Sequence, residues 1–259
     1  MRRVNRTFAL MMLVGAHIAA CVPDGERPDP AARAEARALV AEDARTSDLL
    51  EATGLEDARA RLVAVRGLGR LEDPTLVPEI AGSLSDTDDG VRAAAVEAMA
   101  QAVHGADGTA VLDRLVQLVP LETDPTVRAS LARSIGRLAV DAAGRRRAAD
   151  ALVALATSSE GGDPPARTLV GVALGFEALT RAAADEGISG EAGDRLEALA
   201  AFGRSDADDV QAARIRALAL TALGRVRRMT LDLVEAGSTD PDPEVRRTVL
   251  RYLDAIIPA

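Results

Sequence analysis

One arginine recurs along the chain at the spacing of a helical repeat, and no other feature restricts the fold as strongly. Aligning the sequence on it gives Arg61, Arg92, Arg128, Arg167, Arg216 and Arg246, separated by 31, 36, 39, 49 and 30 residues. A self-similar period of this length marks an array in which each unit packs only on its neighbours. The 259 residues therefore read as one elongated stack and not as one or two ordinary domains. Four residues before the arginine stands Asp57, Asp88, Asp124, Asp163 or Asp242, with Ala212 in the fifth copy, and proline follows three of them as Pro125, Pro164 and Pro243. A carboxylate there accepts hydrogen bonds from the unpaired amides of a helix start, and proline at the first helical position gives up no needed donor. Each aspartate is predicted to be an N-cap worth about 0.5–2 kcal/mol.

Seven residues after the arginine comes a large apolar side chain, Leu68, Met99, Ile135, Leu174, Leu223 or Leu253. The next position is small in five copies, Gly69, Ala100, Gly136, Gly175 and Gly224, and is Asp254 in the last. Glycine inside a helix costs about 1 kcal/mol relative to alanine, so its return at one phase predicts that a neighbouring helix approaches closely. Composition agrees with a helical, small-residue interior. Lysine and tryptophan are absent, and the aromatic residues are Phe8, Phe176, Phe202 and Tyr252. Strand-favouring residues are thus scarce where helix formers abound. Between the arginine-bearing helices lie second amphipathic segments at Ala31 to Leu50, Pro74 to Leu84, Thr109 to Val119, Arg145 to Ala156, Gly190 to Phe202 and Arg227 to Ala236, giving six helix pairs.

This pairing, with Asp-Pro-x-Val-Arg opening the second helix and Leu-Gly near its end, resembles the HEAT repeat family, especially its short bacterial form. The resemblance spans about Ala31 to Ile257. It is most specific at Asp124-Pro125-Thr126-Val127-Arg128 through Ile135-Gly136-Arg137-Leu138, and again at Asp242-Pro243-Glu244-Val245-Arg246. It implies an all-α fold, a right-handed α-α superhelix of about six helix pairs forming an armadillo-like solenoid, with the arginine-bearing helices on the concave side. It also implies a hydrogen-bonded ladder between repeats, made of Asp57, Asp88, Asp124, Asp163 and Asp242 with the six phasing arginines and interrupted at Ala212.

The N-terminus carries an address. Met1 to Arg6 holds three arginines, Thr7 to Ala20 is apolar apart from His17, and small residues precede Cys21, the single cysteine. That is the pattern of a secretory signal, too short for a spanning helix. Ile18-Ala19-Ala20-Cys21 also resembles the lipobox of bacterial lipoproteins, which implies that Cys21 is lipid-modified and becomes the first residue of the mature chain. Ordinary cleavage near Ala20 is the alternative reading. The expected organisation is a signal peptide at 1–20, an extended tether at 21–30 built on Pro23, Pro28 and Pro30, and a repeat domain at 31–259. Val22 after the cysteine favours the periplasmic face of the outer membrane, a lipid-anchored location in the cell envelope.

Charge and side-chain inventory narrow the function. With the first twenty residues removed, 28 arginines face 40 acids, a net charge of −12. Nucleic acid is an unsuited partner for such a chain. A lone cysteine excludes an internal disulfide and a cysteine-rich metal site. His104 is the one histidine beyond the leader, and Gly67-Leu68-Gly69 lacks the third glycine of a dinucleotide loop. No catalytic residue, metal ligand or cofactor site is predicted. Asp86-Thr87-Asp88-Asp89 and Asp206-Ala207-Asp208-Asp209 read as solvated turns, since neither has a calcium-loop pattern.

The informative surface is the outward stripe of the arginine-bearing helices, at offsets of one, five and nine from the phasing arginine. It carries Leu62, Arg66 and Arg70; Ala93, Glu97 and Gln101; Ala129, Arg133 and Arg137; Ala217, Thr221 and Arg225; and Arg247, Arg251 and Ala255. Guanidinium groups gathered this way suit the carboxylates of an acidic protein or peptide, or phosphate groups, unless they pair with nearby acids such as Glu97. The fourth helix places Thr168, Val172 and Phe176 there instead, so Val172 and Phe176 are expected to form an apolar anchor if no other segment covers them. The partner-binding set is Arg66, Arg70, Arg133, Arg137, Val172, Phe176, Arg225 and Arg251. The leading expectation is a membrane-tethered protein-interaction scaffold. The alternative is the scaffold portion of a larger envelope enzyme, such as a cyclophilin-type peptidyl-prolyl isomerase, because bacterial HEAT arrays of this kind precede catalytic domains.

Overall fold

The computed structural model describes residues 45–157, 163–182, 188–204 and 209–253. The leader, Cys21, the tether and the start of the first amphipathic segment lie outside the described residues, as do Asp206, Asp208 and Ala255. Two compact units divide at 47/48, and the repeat helices lie in the second, 48–259.

Every regular element among the described residues is helical. A helix ends at residue 52. It is followed by α1 (Ala58–Gly69), α2 (Val77–Ala81), α3 (Asp89–Ala102), α4 (Thr109–Leu118), α5 (Pro125–Arg137), α6 (Ala142–Leu155), α7 (Ala166–Ala182), α8 (Gly190–Ala201), α9 (Val210–Arg225), α10 (Leu231–Ser238) and α11 (Pro243–Tyr252). The odd-numbered helices carry the phasing arginines and pack in series, α1 on α3, α3 on α5, and so on to α11, while α4, α6 and α8 form a second layer against them. The result is an all-α solenoid of six helix pairs among the described residues. Its interior is one continuous core of small and branched side chains, with Leu68, Met99, Ile135 and Leu223 buried at their predicted phase.

Helix starts follow the aspartates with two exceptions. Asp57, Asp88, Asp124 and Asp242 each accept backbone amides of the first turn, Asp124 from Thr126 at 2.7 Å and Val127 at 3.0 Å. Asp163 does not cap. It lies exposed three residues ahead of α7, whose first amides reach the carbonyl of Pro165. The cause is Pro164-Pro165: a proline disfavours helical geometry in the residue before it, so the helix cannot begin until both have passed. In the fifth repeat Asp209 caps α9, three residues ahead of the expected Ala212, and donors come from Gln211 at 2.8 Å and Ala212 at 3.0 Å. The second segments are also adjusted. Pro74 to Leu84 breaks into α2 between two 3-10 turns, α6 starts three residues early at a cap from Asp141, and α10 starts four residues late at a cap from Thr230.

The recurrent glycines mark the predicted close contacts. A Cβ added at Gly136 would collide with the carbonyl oxygen of Gly175, and one at Gly171 would lie 2.5 Å from Ala129 Cα. The α5 and α7 backbones therefore meet with no side chain between them.

The ladder exists, but its acids are not the capping aspartates. Arg61 grips Asp86 with Nε and Nη2, both at 2.7 Å; Arg92 grips Glu122 at 2.9 and 3.3 Å; Arg216 grips Asp240 at 2.8 and 2.9 Å. Each acid stands two residues before the next helix's cap and also accepts the amide of that cap, as Glu122 does from Asp124 at 2.9 Å. The remaining nitrogen, Nη1, donates to two carbonyls of the preceding loop: Leu55 and Glu56 for Arg61, Asp86 and Thr87 for Arg92, Phe202 and Gly203 for Arg216. A capping aspartate is already committed to its own helix, so the interrepeat role falls to a second acid. Arg167 leaves the ladder altogether, because the late start of α7 puts it exposed on the first turn.

Candidate functional site

On the outward stripe, α1, α3 and α5 bring four of the predicted arginines to one place. Arg66, Arg70 and Arg137 line a pocket of about 240 Å³ whose floor is Gly69, Ala94 and Ala98, with Glu97 and Gln101 on its wall. The floor is small because those positions are where the helices touch; a Cβ on Gly69 would lie 2.7 Å from Ala98 Cα. Glu97 organises the cluster. It accepts Arg133 Nη2 at 2.5 Å and Ser130 Oγ at 2.9 Å, while its own carbonyl accepts Arg137 Nη2 at 2.9 Å. Desolvation is the largest influence on the Glu97 carboxyl and pushes its pKa up. The hydrogen bonds from Arg133 and Ser130, with the charges of Arg133 and Arg66, outweigh it and hold the group below the ordinary glutamate range.

Arg66 and Arg70 are exposed, as Arg137 is, and differ from Arg133 and Arg137 in that their side chains make no hydrogen bond or ion pair among the described residues. At the rim, Gln101 donates to Glu72, and His104 Nδ1 lies 3.4 Å from the same carboxylate. Four guanidinium groups thus stand near two carboxylates, and only Arg133 is paired with either of them, in a chain of net charge −9. Two exposed arginines on rigid helices, beside a pocket holding a third, present bidentate donors at fixed positions. The arrangement is suited to a carboxylate-bearing or phosphate-bearing ligand.

The other predicted site residues part company with this cluster. Val172 and Phe176 have no exposed surface, so the apolar anchor expected of them does not exist. The shifted start and seventeen-residue length of α7 turn those positions into the core, where Thr168, Val172 and Phe176 lie on a helix buried against α5 and α9. Arg225 belongs to a separate pairing, with Nη1 at 2.6 Å from Glu177 Oε1 and 2.8 Å from the Glu177 carbonyl; Arg181 takes the other carboxylate oxygen at 2.5 Å. Arg251 is exposed on α11. The bland expectation for such a stripe, arginines paired with neighbouring acids, holds for Arg133 and Arg225 and fails for Arg66 and Arg70.

The acidic turn at Asp86 to Asp89 is likewise committed, Asp86 to Arg61 and Asp88 to its helix. Among the described residues no group of three or more histidine, cysteine, aspartate or glutamate side chains is placed to hold a metal ion, and no helix is long and apolar enough to cross a membrane. Sequence reasoning missed the ladder acids Asp86, Glu122 and Asp240. The signal was present as an acid two residues ahead of a capping aspartate, Asp-x-Asp or Glu-x-Asp, three times over.

Fold and stripe together define a helical-repeat solenoid with an arginine-rich patch. The family model described as HEAT repeats matches residues 46–136, the stretch from the first described helix to the end of α5. No protein among the curated ones matches the chain. Solved structures that resemble it include two engineered proteins. One is 19% identical over 82% of this chain and 98% of its own, with a TM-score of 0.52; the other is 17% identical over 82% and 96%, with a TM-score of 0.51. A designed armadillo repeat protein is 14% identical over 81% and 99%, at 0.48. At these identities the likeness is one of fold.

Proposed function

We propose that the chain is a HEAT-repeat scaffold that binds an acidic protein or peptide on the arginine patch of α1, α3 and α5, held in the bacterial cell envelope by a lipid on Cys21. The observation that carries the binding half is the pair Arg66 and Arg70, exposed and without partners among the described residues, beside a pocket that Arg137 and Glu97 complete. Repeat arrays bury their helices against one another and leave extended rigid faces for macromolecules. The anchor half rests on Ile18-Ala19-Ala20-Cys21 alone.

Crosslinking in intact cells, with a photoreactive residue at the exposed Val63 of α1, would identify the partner. The Arg66→Glu/Arg70→Glu double variant should then lose that crosslink while keeping its melting temperature, since neither side chain has a partner among the described residues. Capture that survives the reversal would move the site off this patch. Metabolic labelling with a fatty acid should mark the wild type and leave Cys21→Ala unlabelled; equal labelling of both would remove the anchor.

A further inference from the structure

Among the described residues the ladder has a rung without an acid. Arg128 repeats the carbonyl half of the pattern, Nη1 donating to Val119 O at 3.2 Å and Glu122 O at 3.0 Å. Its other edge, where Arg61, Arg92 and Arg216 each clasp a carboxylate, meets among the described residues only the Leu155 carbonyl, 3.3 Å from Nη2. Electrostatics separates it from its counterparts. The carboxylate hydrogen bond lifts Arg61 and Arg92 above the ordinary arginine value, whereas desolvation presses Arg128 below it. Arg246, in the last described helix, also holds only carbonyls among the described residues, those of Asp240 and Pro241. Arg128 differs from it in what surrounds the edge.

Arg128 borders a pocket of about 910 Å³ formed by the end of α4, the loop into α5, the outer side of α6 and the Pro164-Pro165 turn. Its walls are mainly apolar, with Val116, Val119, Pro120, Ala154, Pro164 and Pro165 prominent. That volume lies in the range of a ligand site and far exceeds a carboxylate, so an occupant must bring an apolar body as well. A guanidinium stays charged under burial, and its Nε–Nη2 edge matches a carboxylate in two parallel hydrogen bonds. The protein itself shows how such a group is delivered: the turns that serve Arg61 and Arg92 carry Leu84 two residues before Asp86 and Leu121 next to Glu122.

We propose that this pocket receives an acid-bearing turn of a protein partner, its carboxylate clasped by the Nε–Nη2 edge of Arg128 and its apolar neighbours resting on the proline and valine walls. The site is distinct from the arginine patch of α1, α3 and α5, and neither depends on the other.

The probe is a fluorescein-labelled, C-terminally amidated peptide with the sequence of residues 118–123, Leu-Val-Pro-Leu-Glu-Thr, titrated against the full chain by anisotropy. It should bind at least tenfold more tightly than the same peptide with glutamine for glutamate. Ala154→Glu, at an exposed wall position, should lower affinity for the acidic peptide at least tenfold with an unchanged melting temperature. Arg66→Glu/Arg70→Glu should leave it unchanged, and a loss there would assign binding to the other patch and overturn the proposal. Equal affinity for the two peptides, or indifference to Ala154→Glu, would also overturn it. Octanoate competing as strongly as unlabelled peptide would make the pocket a small-carboxylate site instead. Glu160→Gln raising affinity tenfold would assign the edge to the chain's own acid, again against the proposal.

Discussion

Replacing Arg216 with methionine should destabilise the protein by about 3–5 kcal/mol, the cost of stranding a buried charge. Both side chains of the Arg216–Asp240 pair have no exposed surface, and four hydrogen bonds leave the guanidinium: two to Asp240 and one each to the carbonyls of Phe202 and Gly203. Methionine fills much of the space but donates nothing. Asp240 would keep a single donor, the amide of Asp242 at 2.9 Å. For a chain of this size each kcal/mol lowers the melting temperature by roughly 2–4 °C, so a fall of about 6–20 °C is expected in calorimetry. Units of a solenoid interact only with neighbours, so the loss should concentrate at the α9–α11 joint, with amides of α10 and α11 exchanging first. Adding Asp240→Leu removes the stranded charge and should restore most of the loss. It should not restore all of it, since the two carbonyls and the Asp242 amide would remain unpaired, at about 1 kcal/mol each. A single variant melting within about 2 °C of wild type, or a double variant no better than the single, would refute this account of the rung.

Other expectations rest on the same contacts. Gly136→Ala should cost about 1–3 kcal/mol or more, because its methyl would meet the Gly175 carbonyl, whereas Gly82→Ala, with open space around it, serves as the control in the same melting series. Asp124→Ala should lose about 0.5–2 kcal/mol of helix capping by chemical denaturation, and Asp163→Ala should stay within about 0.5 kcal/mol, since only the first is a cap. Asp86, Glu97, Glu122 and Glu177 are all held below their ordinary range by arginine hydrogen bonds that outweigh desolvation. Their stabilisation is complete above the unfolded carboxylate value of roughly 4 and is lost as pH falls through the lower folded values. Melting temperature measured downward from pH 6 should therefore drop steeply below about pH 4, and a flat profile there would count against the paired geometry.

Much of this architecture was legible because repetition multiplies weak signals. A single Asp-x-x-x-Arg means little, but its return with an apolar residue and a glycine at fixed offsets placed the arginine-bearing helices and their closest contacts. What stayed hidden was the partner across each joint. Alignment on Arg61 and Arg92 points to the aspartate within the same unit, whereas the acid that binds them lies in the turn of the next, 25 and 30 residues downstream. The fate of Val172 and Phe176 was hidden for a related reason. Offsets counted from Arg167 assumed that α7 begins like its neighbours, and Pro164-Pro165 delays that start, turning an apparent surface stripe into core. Arg66 and Arg70 were readable as surface residues, since four residues in a helix return nearly to the same face. Their lack of acid partners was not, because it depends on which side chains α3 and α5 bring alongside.

The rung that Arg128 leaves open falls at the α5–α7 joint, the place where backbones touch through Gly136, Gly171 and Gly175. Joints along the stack therefore differ in kind, and the Arg216–Asp240 rung at α9–α11 is buried where the first two rungs are not. The Arg61 and Arg92 rungs are partly exposed, so dissolved ions reach them and should loosen them as ionic strength rises. The α5–α7 joint is held by contact between uncharged backbones, and dispersion between atoms does not respond to salt. The stack should thus soften from its N-terminal side in brine while remaining stiff at its middle, so that the arginine patch, spread over α1, α3 and α5, changes its spacing with the salinity around it.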